Sequence, residues 1–413
     1  MSFNNLALIE PLQRALHQEK YLTPTPIQEK AIPLILERKD VLGCAQTGTG
    51  KTAAFVIPLL QLMQEEHNPA QQPRLRTLIL SPTRELALQI GESIEAYGRF
   101  LNFRHAVIFG GVSQYKQVEA IRRGAQIIVA TPGRLLDLIR QRQLNLNSVQ
   151  HFVLDEADRM LDMGFINDVK KIISYLPANR QTLLFSATMP GPIKQLADGL
   201  LNNPVRAEVT PVSSTVDMIE QKIYFTEKQN KQLLLLHLLQ AKDIRSVLVF
   251  TEMKHFADKL ARFLSKSGVK ADALHGGKSQ NQRQATLSHF KSGKTRVLVA
   301  TDIAARGIDI EELQYVINFH LPNVPETYVH RIGRTGRAGA GGLAFSLCDW
   351  SERVFLSDIE KVIKKNIPVV AGHPFDCTAM HRPAVSTTSA ASSSFSGNMR
   401  RSKRPGRSFM QQM

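Results

Sequence analysis

The sequence predicts an α/β protein of two tandem domains, each a parallel sheet covered by helices on both faces, followed by a disordered basic tail. Three observations carry this prediction. Unbroken apolar runs rich in β-branched residues recur between longer stretches of helical character, as in sheets buried on both faces. The series stops once, near residue 210, and then resumes. Beyond residue 370 apolar periodicity disappears. A length of 413 residues suits two or three domains, at roughly 150 residues each.

In order along the chain, the first series is "DVLGC" (40–44), "TLIL" (77–80), "AVIF" (106–109), "QIIVA" (126–130), "HFVLDE" (151–156) and "TLLFSAT" (182–188). A Pro-, Ser- and Thr-rich stretch over 210–217 reads as a linker. The second series is "KIYFT" (222–226), "SVLVFT" (246–251), "RVLVAT" (296–301), "YVINFH" (315–320) and "GLAFSLC" (342–348). The expected boundaries are an N-terminal region at 1–31, domains at 32–209 and 218–370, and a tail at 371–413. The tail carries Arg382, Arg400, Arg401, Lys403, Arg404 and Arg407 against Asp376, and is rich in serine. It cannot bury enough apolar surface to offset chain entropy, so it reads as disordered, and its charge suits sequence-independent contact with phosphates.

Composition narrows the function. Lys+Arg 52 against Asp+Glu 36 gives +16, which favours a polyanionic partner, nucleic acid before membrane. Cys44, Cys348 and Cys377 are odd in number and widely spaced, which argues against a disulfide framework or a CxxC metal knuckle and fits a reducing cytoplasm. The N-terminal residues lack a basic segment followed by an apolar block, and "LLLLHLL" (233–239) is too short to span a bilayer.

"AQTGTGKT" (45–52) lies between an apolar strand and a helix-compatible run, the setting of a phosphate-binding loop. Gly48 and Gly50 let backbone N–H groups turn inward, and the helix N-terminus adds partial positive charge. Lys51 would reach the β/γ-phosphates of ATP and Thr52 would sit on Mg²⁺. Ala45 stands where the pattern normally opens with glycine. "VLDEADRM" (153–160) then places Asp155 and Glu156 at the C-terminal edge of a buried strand, where α/β sheets bind ligands. Asp155 suits holding Mg²⁺, largely through water, and Glu156 suits orienting and deprotonating the attacking water; alternatively, two acids opening a helix complement its dipole.

"HRIGRTGR" (330–337) gathers Arg331, Arg334 and Arg337. Taken alone it reads equally as a solvated basic loop. With a phosphate site in the first domain, it reads as a half-site that meets the γ-phosphate across an interdomain cleft and makes hydrolysis conditional on closure.

These motifs together resemble the DEAD-box ATP-dependent RNA helicases, of the bacterial RhlE-like kind, from Phe3 to about residue 350. The resemblance implies two RecA-like domains and RNA-dependent ATPase activity. Phe3 and "YLTPTPIQ" (21–28) resemble the adenine-recognising Q motif, with Tyr21 and Gln28 beside the base and Lys20 replacing the usual glycine. "AQTGTGKT" resembles motif I, in which Ala45 is ordinary and Gln46, Thr47, Gly48, Thr49, Gly50, Lys51 and Thr52 surround the nucleotide. "PTRELA" (82–87), Gly110-Gly111 and "TPGR" (131–134) resemble RNA-gripping motifs, which implicates Pro82, Arg84, Gly110, Gly111, Thr131 and Arg134. "DEAD" (155–158) and "SAT" (186–188) resemble the motifs that couple the two activities, through Asp158, Ser186, Thr188 and His330. In the second domain Thr251, Arg283 of "QNQR" (280–283) and Thr301 fall on the RNA side, and Asp309 towards the ribose. The family's catalytic arginines map onto Arg334 and Arg337.

The implied partner is single-stranded RNA or a short duplex held by its backbone, without sequence preference. Aromatic residues are 7% of the chain and do not interleave the basic motifs, so base-stacking platforms are not expected. Ribosomal RNA and the RNA-decay machinery are partners at the level of the family, and a monomer is the default. Three other functions share parts of this pattern. They are an ATP-gated RNA clamp, a DNA translocase that would prefer DNA, and a P-loop ATPase indifferent to nucleic acid.

Overall fold

The computed structural model describes residues 2–45, 48–66, 73–209, 219–240, 244–305, 313–336 and 341–377. The linker at 210–217 and the tail from 378 onward lie outside the described residues, as do Gln46, Thr47, Asp309 and Arg337.

The first lobe holds seven parallel strands. They are β1 (Val41–Cys44), β2 (Thr77–Leu80), β3 (His105–Ile108), β4 (Ile127–Ala130), β5 (His151–Leu154), β6 (Gln181–Ser186) and β7 (Val205–Glu208), in the order β3-β4-β2-β5-β6-β1-β7. The central strands are buried on both faces, which is why their sequences do not alternate. In β5, Val153 faces a core shared with α2 (Pro26–Leu36), α3 (Lys51–Glu65) and α4 (Arg84–Tyr97). Phe152 and Leu154 face the opposite core, shared with α6 (Pro132–Arg140) and α7 (Ala157–Asp162). Also in this lobe are α1 (Glu10–Gln18), α5 (Tyr115–Arg122), α8 (Ile166–Ile173) and α9 (Gly191–Leu200).

The second lobe repeats the plan with six parallel strands. These are β8 (Ile219–Phe225), β9 (Val247–Thr251), β10 (Ala271–Leu274), β11 (Val297–Thr301), β12 (Tyr315–Asn318) and β13 (Gly342–Cys348), in the order β10-β11-β9-β12-β13-β8. Its helices are α10 (Lys231–Leu239), α11 (Lys254–Lys266), α12 (Gln280–Lys291), α13 (Asp302–Ala305), α14 (Pro325–Ile332) and α15 (Arg353–Ile363). Two strands escaped the sequence reading, β7 and β10. Both are sheet edges with little apolar burial, so their short polar sequences carry no strand signal. Residues 371–377 fold back on β8, where Cys377 N–H donates to Phe225 O at 3.3 Å. Among the described residues, no helix is long and apolar enough to cross a membrane.

Candidate functional site

Apart from Phe3 and the segment 21–28, which precede β1, the motifs singled out in the first lobe follow the C-terminal ends of strands, because in a parallel sheet all strands deliver their following loops to one edge. After β1 the chain turns through Gly48 (φ 87°) and Gly50 (φ 89°) and enters α3 at Lys51. Those angles belong to glycine, and at Gly50 space forbids a side chain too: a Cβ would lie 2.4 Å from Gln28 Nε2. Gln28 is itself anchored, donating from Nε2 to Gly50 O at 3.1 Å and accepting at Oε1 from Thr25 N–H at 2.9 Å. This amide therefore ties the N-terminal region to the turn. Phe3 is buried, its ring 6.1 Å from that of Tyr21, whose hydroxyl lies 3.0 Å from that of Tyr97. Both aromatics thus pack into the lobe beside the turn.

Lys51 is 6% exposed, and its buried Nζ has no hydrogen-bond partner among the described residues. Asp155, at the end of β5, is in the same condition at Oδ1. Buried charged atoms without partners are costly unless a ligand completes them. Burial pushes the Asp155 carboxyl up, against the pull of Lys51. Glu156 occupies the left-handed region at φ 53° and ψ 53°, a backbone strain concentrated at the site. Its carboxylate accepts from Arg159 at 2.5 Å. Burial would raise its pKa, but Arg159, Lys51 and Arg334 outweigh it and hold Glu156 below the usual range. Asp158 faces the loop after β6: Oδ2 accepts from Thr188 N–H at 2.9 Å and from Thr188 Oγ1 at 3.0 Å. Ser186 Oγ accepts from Asp158 N–H at 3.2 Å and donates to Thr188 O at 2.7 Å. Asp158 is likewise held low, since burial is outweighed by Lys51, the Thr188 bonds and His330.

Two of those influences, Arg334 and His330, come from the second lobe, whose electrostatic effect thus reaches Glu156 and Asp158 of the first. The arginine group divides, however. Arg331 turns inward and makes a bidentate pair with Asp302 at 2.6 and 2.8 Å. It also donates to Asn318 Oδ1 at 3.2 Å and His320 O at 2.6 Å. Its anion is in its own domain, which corrects the view of three equivalent arginines awaiting one ligand. Arg334 lies past the end of α14, is buried, and helps to hold the Glu156 carboxyl low.

A second interlobe junction involves the residues expected to grip RNA. Arg283 Nη2 lies 2.8 Å from Glu85 Oε1, and both side chains are largely buried. Gln280 adds two further bonds across the junction, donating to Glu85 at 3.4 Å and accepting from Arg84 at 3.5 Å. Glu85 and Gln280 went unremarked in the sequence, as did Arg159. Each lies inside or beside a quoted motif, yet only folding reveals its partner. Arg84 leans on Gly111, where a Cβ would sit 2.3 Å from Nη1. Arg134 donates to Val112 O at 3.2 Å and to Gln117 Oε1 at 3.4 Å. Burial and the charges of Arg283 and Arg134 lower the Arg84 pKa against the opposing pull of Glu85. Three guanidinium groups crowded this way have the donor chemistry suited to a repeating anion. Pro82 and Thr131 are buried at strand ends of the first sheet, Thr251 and Thr301 at strand ends of the second, Gly110 and Gly111 follow β3, and Thr251 Oγ1 has no partner among the described residues.

A glycine turn leading into a helix at a buried lysine, beside two buried carboxylates at a strand end, in one of two parallel-sheet lobes, is the arrangement of a P-loop nucleotide hydrolase. The family model "DEAD/DEAH box helicase" matches residues 25–196 and "Helicase conserved C-terminal domain" matches 230–339. The DEAD-box ATP-dependent RNA helicase RhpA of Helicobacter pylori is 42% identical over 89% of this chain and 73% of its own. CshA of Bacillus subtilis, described in the same words, is 42% identical over the same shares. The chain belongs to the DEAD-box helicase family. Among solved structures, S. cerevisiae Dbp5 bound to RNA and ADP BeF3 superposes with a TM-score of 0.80, at 33% identity over 89% of this chain and 95% of that one. A variant of Dbp5 bound to Nup159, Gle1, IP6 and ADP, at 32% identity over 88% and 95%, gives 0.61.

Proposed function

We propose that the protein is an RNA-dependent ATPase that locally unwinds short duplexes by closing its two lobes on one strand. The observation that carries this reading is a buried Lys51 Nζ and Asp155 Oδ1, each without a hydrogen-bond partner among the described residues, beside Glu156, whose carboxylate is held low in part by Arg334 of the second lobe. Lys51 and the backbone of 45–52 bind the phosphates of ATP, while Gln28, with Phe3 and Tyr21 behind it, lines the base side. Glu156, kept ionised by its surroundings, accepts the proton of the attacking water. Arg334, with Arg337, stabilises the charge that spreads over the terminal phosphate.

Mg²⁺ fits this site, with Thr52 and Asp155 as its protein anchors. Among the described residues, no cluster of three or more His, Cys, Asp or Glu side chains could hold a metal ion. Its remaining ligands would be water and phosphate, and it supplies neutralisation of phosphate charge.

RNA phosphates and 2′-hydroxyl groups bind along Arg84, Arg134, Thr131, Thr251 and Thr301, next to the Glu85–Arg283 junction. Closure is then favoured when both ligands are present, so each raises the affinity for the other. Family-level targets such as ribosomal RNA or transcripts under decay are consistent with contacts to backbone alone.

The test is ATP turnover with and without RNA or DNA, in the parent and in Glu156→Gln. The expected parent is stimulated by RNA far more than by DNA, and the variant retains ATP and RNA together without turnover. Normal hydrolysis by Glu156→Gln, or a parent rate indifferent to RNA, refutes the reading.

A further inference from the structure

The chain's sole tryptophan lies outside every motif and is strongly exposed. Trp350 sits in the short turn Trp350–Glu352 between β13 and α15, with 65% of its surface open. The turn is pinned from within. Glu352 and Asp349 both pair with Lys231, which is fully buried, and the Asp349 carboxylate accepts from Ser351 N–H at 2.9 Å and Oγ at 2.6 Å. The backbone that carries the indole is thus fixed by a buried ion network, which lowers the entropic cost of presenting the ring to a ligand.

The neighbouring surface is basic. The Arg353 guanidinium stands 5.1 Å from the Trp350 ring centroid. Along α15, Val354 is 68% exposed, and Trp350, Arg353, Val354 and Lys361 border an open groove of about 400 Å³. Lys361 lies 2.8 Å from Asp358, while Lys364 and Lys365 are exposed just past the helix. Exposed aromatic and arginine side chains suit a protein or a nucleobase alike, but lysines are depleted at protein interfaces and suit phosphates. The described chain ends at Cys377 on the neighbouring strand β8, and residues 378–413 carry six Lys and Arg and no Asp or Glu. Strand order puts β13 next to the edge strand β8, two strands from β9, which ends in Thr251, and on the opposite side of β9 from β11, which ends in Thr301, and from β10.

We infer that Trp350, Arg353, Lys361, Lys364 and Lys365 form a second contact for single-stranded RNA, stacking a base on the indole and taking adjacent phosphates on the cations. The inference rests on RNA being the partner, but concerns a surface separate from the clamp.

Because Trp350 is the only tryptophan, its fluorescence reports the contact directly in the full-length protein. Titration with single-stranded polyuridylate, without nucleotide, is expected to quench it saturably. Trp350→Ala should weaken that RNA affinity roughly fivefold or more, with Trp350→Phe retaining most of it. Reversing Lys361, Lys364 and Lys365 to Glu should weaken binding and flatten its salt dependence. An emission unmoved at saturating RNA, or a Trp350→Ala affinity equal to the parent's, overturns the inference and leaves the face to a protein partner. RNA-stimulated ATPase activity measured alongside separates the two failures: stimulation with a silent tryptophan sinks only this contact, whereas absent stimulation sinks the proposed function.

Discussion

Removing either side of the Glu85–Arg283 pair should uncouple RNA from ATP turnover without unfolding either lobe. The two residues begin helices of different lobes, and neither contributes to a hydrophobic core. At 2.8 Å, with side-chain exposures of 7% and 11%, the pair exists only when the lobes meet. Stranding one partner of a buried pair costs about 3–5 kcal/mol. Gln280, 3.4 Å from Glu85, can partly compensate, so the lower bound applies, a loss of about 10²-fold in the closing equilibrium. Glu85→Ala and Arg283→Ala should therefore each lower ATPase activity at limiting RNA by about that factor, with melting temperatures unchanged. The double variant should be no worse than the poorer single variant, because the charge left stranded has been removed as well. The assay is ATPase rate against RNA concentration, supported by RNA affinity in the presence of a non-hydrolysable ATP analogue. Two results refute the reasoning. Additive losses would mean that the residues act separately, and a neutral Glu85→Ala with an impaired Arg283→Ala would mean that Arg283 serves RNA alone.

Arg334→Ala should cut turnover by about 10³-fold or more with normal melting. Arg331→Ala should instead lower the second lobe's melting temperature by roughly 5–15 °C, through the stranded Asp302. Differential scanning calorimetry alongside ATPase assays separates the two. Gly50→Ala forces a positive φ and drives a Cβ into Gln28 Nε2, so ATP-analogue affinity should fall about tenfold or more; in a Gly50→Ala/Gln28→Ala protein the losses should be less than additive. His320 is pushed down to about 3 by burial, Lys231, Arg331 and Lys228, with Asp349 opposing. Its neutral Nδ1 accepts from Glu252 N–H. The unfolded chain therefore binds a proton below about pH 6.5 that the folded one refuses, and stability falls as the pH drops from there towards 3. Between pH 6.5 and 5 this amounts to about 2 kcal/mol. Chemical denaturation should show that loss in the parent and not in His320→Asn.

What the sequence made legible was set by burial and by backbone chemistry. Central strands covered on both faces must be apolar throughout, so "HFVL" and "VLVFT" announce themselves. A turn that wraps phosphate needs glycine at positive φ, and "TGTGKT" declares it. Edge strands have no such demand. In β7 only Ala207 is buried, and its residues read as loop.

The roles of like charges were the least legible, for a geometric reason. In "HRIGRTGR" nothing distinguishes one arginine from the next. The difference arises because α14 ends at Ile332 and Gly333 caps it. Arg331, on the last helical turn, points back onto its own sheet, where Asp302 and the carbonyl of His320 wait. Arg334 lies beyond the helix end, and its charge acts on Glu156 of the other lobe. The spacing of three residues that would stack two side chains on one helical face instead straddles a helix terminus and sends them to different partners. Glu85 poses the same problem in reverse: in "PTRELA" it reads as a carboxylate complementing a helix N-terminus, and its position in that helix is the observed one. Its other partner, Arg283, is supplied by the second domain, nearly two hundred positions further along the chain. A pairing that forms only on closure leaves no local trace in either segment, so the residues that couple the lobes were the ones that motif spacing alone could not identify.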